Sequence, residues 1–167
     1  MSAWFWVPVL AVLGVAQTSL VPGLQVSGAQ PQLVLTWVVC WAVIRGRGEA
    51  LPWAIAGGLF LDLLSQMPPG SHLLALVAVT FLADLGHQVM QGSTALFAAA
   101  AVFAGSVLYG LVLLGILVAT GRHPDFAGAT VTAILPGALY NLGVLVPFFV
   151  IQRRLDSMFP VSVLPAW

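Results

Sequence analysis

Apolar runs broken by Gly, Pro and charge divide the chain into six predicted helices: Ala3–Val21, Pro31–Ile44, Ala50–Gln66, Ser71–His87, Thr94–Thr120 and Phe126–Ile151. A bilayer core needs about 20 helical residues, with a lower limit near 17. The second run is shorter than that, so a span extended by Arg45 and Arg47 and a re-entrant or interfacial segment both stay open. The first run has small residues near Gly14–Ala16, as a cleaved signal would, but no basic flank. It reads as a retained span.

The stretch Ala50–His72 holds the most information. Its i, i+4 ridge runs Ala50, Ala54, Gly58, Asp62, so one narrow side is small and ends in an acid; a Pro-Pro-Gly turn and His72 follow. Asp62 lies roughly 18 Å along this helix, past the middle of a core about 30 Å thick. A carboxylate there costs about 2.5–3.5 kcal/mol and calls for a partner. His72 is the nearest candidate, either pairing with Asp62 or capping the turn.

Helix five carries a similar ridge through Ala98, Ser106 and Gly110, and helix six one through Ala129, Ala133, Gly137 and Asn141. Small residues let helix backbones approach where lipid offers no hydrophobic contrast. Aligned without gaps, ALPWAIAGGLFLD and ATVTAILPGALYN share two alanines, an isoleucine and a glycine, and end in Asp62 and Asn141. If this is an internal repeat, the chain is two inverted three-helix halves, with Asp62 toward the outer side and Asn141 toward the inner.

Composition fixes the class. Of 167 residues 60% are hydrophobic and 6% charged, with mean hydropathy +1.06, far from the roughly 25% charged fraction of soluble domains. The expectation is an all-α, polytopic membrane helix bundle of about six transmembrane helices with short loops, a single domain over 1–167. Net charge is zero, with no polybasic surface for nucleic acid. Arg45, Arg47, Arg153 and Arg154 fall on one side, which the positive-inside rule makes cytoplasmic, together with the C-terminus. Trp4, Trp6, Trp41, Trp53 and Trp167 stand where indoles sit at headgroup level. Asp84 and His87, ending helix four, read as solvated interfacial groups.

Chemistry is sparse. Zinc-protease, nucleophile-elbow and phosphate-loop motifs are absent, and Cys40 is alone in an apolar run. Ser106 has no identifiable base. The reading is a non-enzyme without cofactor. The connections are too short to fold as domains, which leaves the sides of the bundle for function, and the ridge through Gly58 is the expected seat for a partner's helix.

The stretch GGLFLDLLSQMPPGSHLLALVAVTFLADL, with LYNLGVLVPFF in helix six, resembles the rod shape-determining MreD family. Gly57, Gly58, Asp62, Gly70 and His72 match its Gly-rich third helix, acid, turn and histidine, and Asn141 a polar position in its last helix. The resemblance implies a bacterial inner-membrane, non-catalytic component of the cell-elongation machinery. It would bind the transmembrane helix of MreC and, through it, serve the wall-synthesis glycosyltransferase and transpeptidase and the MreB filament. The competing class is a small-molecule carrier resembling the S component of an energy-coupling factor transporter. Those share an Ala-x-x-x-Ala patch on the first helix, where this chain has Ala11 and Val15.

Overall fold

The computed structural model describes residues 7–19, 29–89, 95–122 and 125–158, with the side chains of 7, 86–89 and 126 left aside. Trp4, Trp6, Trp167 and the side chain of His87 lie outside the described set. Six helices follow in order: α1 Val7–Ser19, α2 Leu33–Arg45, α3 Arg47–Leu64, α4 Ser71–Val89, α5 Ala95–Ala119 and α6. The last begins as a single turn, Phe126–Ala129, passes through a π segment, Thr130–Ile134, and continues as Leu135–Met158. Two stretches, Ala95–Ala119 and Ala127–Met158, are long and apolar enough to cross a membrane.

The architecture is organised around α2. Every residue from Val34 to Val43 is buried, as expected of a helix that is apolar on all sides. It packs against each of the other five helices. Around it the sequence of packed neighbours is α1, α3, α4, α5, α6, and the described residues form no packed joint between α6 and α1. The second segment is therefore a core helix of the bundle and does not lie along its outside. At 13 residues α2 is only roughly 20 Å long; its shortness follows from having its N-terminus inside the bundle.

The inverted-halves expectation does not hold. It requires α1 to meet α6 as α3 meets α4, and no such joint exists among the described residues. Nor do the two polar ridge ends fall on opposite sides. Asp62 and Asn141 reach groups one turn apart on α5, Tyr109 by way of His72 and Ser106 directly.

Three further departures have local causes. The predicted loop Arg45–Glu49 shrinks to Gly46, whose φ of 78° turns the chain so that α3 starts at once. The π segment precedes Pro136, which has no N–H to give; Leu135 N–H bonds back to Thr130 O instead. That extra residue takes Ala129 and Ala133 out of register with Gly137, leaving Ala133 half-buried. Finally, Trp41 and Trp53 face inward, 2% and 8% exposed, packed ring to ring at 5.7 Å. They are core residues, not headgroup anchors.

Candidate functional site: a polar layer of helix caps

The α3–α4 hairpin is built on contact between backbones. A Cβ at Gly58 would lie 2.5 Å from Leu73 Cα and 2.9 Å from Leu73 N. Only glycine permits this approach, and Ala50 and Ala54 on the same ridge are fully buried. The ridge is thus consumed inside the molecule. It does not present Gly58 to a partner's helix, which corrects the expectation from sequence.

One turn beyond Gly58, Asp62 meets the start of α4. Its Oδ1 accepts from His72 N–H at 2.9 Å and its Oδ2 from Leu73 N–H at 3.2 Å. These are among the N–H groups that a helix start leaves unbonded. Two hydrogen bonds from helix-start N–H groups, at an end where the helix dipole favours an acid, roughly offset the cost of placing Asp62 at this depth. Ser71 closes the same turn, its Oγ donating to Pro68 O at 2.6 Å, while Gly70 supplies the left-handed φ of 87°.

The His72 ring points elsewhere. Its Nδ1 lies 2.6 Å from Tyr109 Oη, with the two rings stacked at 5.9 Å. The pairing of His72 with Asp62 therefore runs through the main chain. Tyr109 had a readable signal, since it follows Ser106 by three residues on one helix face, but nothing in the sequence joined it to His72.

The N-terminus of α2 is held in the same way. Asn141 Oδ1 accepts from Gln32 N–H at 2.6 Å, and its Nδ2 donates to Ser106 Oγ at 2.8 Å. The Ser106 hydroxyl in turn donates to Val102 O at 2.7 Å. Gln17 of α1 accepts from Val34 N–H at 3.0 Å. Asn141 is fully buried, and with Ala98, Ser106 and Gly110 it lies on interior faces of α5 and α6.

At the opposite end, Asp84 is buried, not solvated. Its Oδ1 accepts from Arg47 N–H at 3.0 Å, capping α3, and its Oδ2 lies 3.5 Å from Arg47 Nε. Arg45 bonds Glu49 at 3.0 Å and Asp156 at 2.7 Å, tying α2 and α3 to α6. Asp125 lies over Gly128 in the first turn of α6, where a Cβ would collide with it. Four of the five acids thus serve helix starts or ion pairs. Among the described residues no group of three His, Cys, Asp or Glu could hold a metal. Between Asn141 and Gln152, whose Nε2 donates to Trp37 O, the inner face of α6 carries Leu145 and Phe149, which interrupts any polar path.

These features define a membrane helix bundle whose polar side chains hold its own helices together. A family model described as rod shape-determining protein MreD matches residues 1–155. The chain belongs to the MreD family, and with that go a role in rod-shape determination and a place in a membrane. Neither the curated proteins nor the solved structures yield a match.

Proposed function

We propose that this protein is a non-enzymatic scaffold of the bacterial inner membrane that holds the transmembrane helix of MreC. Through it the protein would position the wall-synthesis glycosyltransferase and transpeptidase and, indirectly, MreB. The observation that carries this reading is the internal use of polar groups. With Asp62, Asp84, Asn141 and Arg45 committed to helix starts and ion pairs, the bundle keeps an apolar outer surface and short connections. Such a surface can engage lipid and another helix.

In this reading residues 1–167 form one domain of six spans, with both termini in the cytoplasm. Its α2 is a short span buried by its neighbours. Co-purification of MreC with the protein in native lipid, at a fixed ratio, is the expected result; recovery of the protein alone would remove the proposal. A carrier would instead be stabilised by a small ligand in a thermal-shift panel.

A further inference from the structure

Tyr140 lies on α6 beside Asn141 and is only half-buried, and its hydroxyl makes no hydrogen bond within the described structure. Thirteen residues separate it from Arg153, which puts it roughly 20 Å from the arginine pair near the cytoplasmic end of α6, within a core about 30 Å thick. A phenol hydroxyl at that depth has no water to bond, and hydrocarbon supplies no acceptor.

The neighbouring contacts fix which flank this is. Gly137 faces Gln30 O and Phe148 packs edge-on against Trp37 of α2 at 5.4 Å. Gly110 of α5 meets Ile134, on the other side of Asn141. Tyr140 follows Gly137 by three residues, on the side away from α5, and Val144, Pro147 and Ile151 continue its ridge at i+4, i+7 and i+11. This flank borders the one joint around α2 that the described helices leave unpacked, between α6 and α1.

We propose that the Tyr140 flank of α6 seats a single transmembrane helix of a partner, which presents a hydrogen-bond acceptor to the Tyr140 hydroxyl. The unsatisfied donor specifies the occupant's chemistry: a helix with a Ser, Thr, Asn or Gln side chain, or an opened carbonyl, about 20 Å from the cytoplasmic face. Lipid tails cannot meet that requirement. The inference rests on the MreC reading and assigns it a face.

The test uses full-length protein co-expressed with MreC in membranes. Tyr140→Phe removes only the hydroxyl and is expected to lower recovered MreC by about threefold, up to roughly twentyfold. Replacing Tyr140 with p-benzoylphenylalanine is expected to give a light-dependent crosslink to MreC, and the same replacement at Leu74, exposed on α4, is expected to give none. Full recovery with Tyr140→Phe, or a crosslink only to a second copy or to lipid, overturns the assignment. Failure of the unmodified protein to recover MreC overturns the underlying reading instead.

Discussion

Asp62 and Asp84 cap each other's helices: the acid near the end of α3 closes the start of α4, and the acid in α4 closes the start of α3. The reciprocity follows from register. Gly58 sits opposite Leu73; eleven residues back on one strand of the hairpin is Arg47, and eleven on along the other is Asp84. A hairpin clamped at both ends cannot slide by a turn without losing both caps.

Asp62→Leu is expected to destabilise the folded protein by about 2–4 kcal/mol, because the N–H groups of His72 and Leu73 lose their acceptor at a half-buried site. Asp62→Asn keeps one acceptor oxygen and is expected to cost about 1 kcal/mol. Thermal unfolding in one detergent reads both. Equal losses would mean that the charge, not the hydrogen bonds, holds the turn.

Asp84→Leu tests the other end of the clamp. It strands Arg47 N–H and frees the Arg47 side chain, with an expected loss of about 1–3 kcal/mol. The two sites are roughly 18–22 Å apart along the hairpin, beyond the range at which separate substitutions couple. The double variant should therefore lose the sum to within about 0.5 kcal/mol. A markedly smaller sum would indicate that one cap already fails when the other is removed.

Much of this was readable in the sequence for physical reasons. Small residues at i, i+4 mark close helix contact wherever lipid surrounds helices, which is why Gly58, against the Leu73 backbone, and Gly110, against the Ile134 side chain, stand out. An acid at depth announces a partner, so Asp62 was visible. The partner's identity was not, because a backbone N–H carries no sequence signature. The same holds for Asn141, whose acceptor meets the N–H of Gln32. Asp84 was misread because proximity to a helix end suggests solvent, whereas the hairpin register brings α3's first turn over it. The burial of α2 was hidden by its length: 13 residues fall short of a span, and only packing shows that its N-terminus starts inside. The likeness between the two ridges turned out to be local. Each ends in a residue that caps a neighbouring helix, without any symmetry relating the halves.

Gly58→Ala isolates the close approach. The added Cβ meets Leu73 backbone, which cannot step aside as a side chain could, and the expected loss is about 1–3 kcal/mol. Gly143→Ala is the control, since nothing lies within 4 Å of the added atom. There the helix propensity of alanine favours a gain of up to about 1 kcal/mol. Opposite signs for two Gly→Ala changes on lipid-embedded helices would separate packing from propensity. A loss at both would point to propensity being overridden throughout this bundle.

Asn141 and Ser106 form the side-chain pair that links α6 to α5, and a double-mutant cycle measures it. Ser106→Ala removes the acceptor of Asn141 Nδ2 while leaving the bond from Gln32 N–H to Oδ1 intact, so a modest loss of about 0.5–1 kcal/mol is expected. Asn141→Leu strands Gln32 N–H inside the bundle as well and is expected to cost about 2–3 kcal/mol. The coupling energy should fall near 0.6 kcal/mol, with an upper bound near 1.7. The asymmetry between the single variants matters more than the coupling, because it places the larger share of Asn141's contribution on the start of α2. If Ser106→Ala proves as costly as Asn141→Leu, then the α5–α6 link, and not the cap on the central helix, is what Asn141 chiefly supplies.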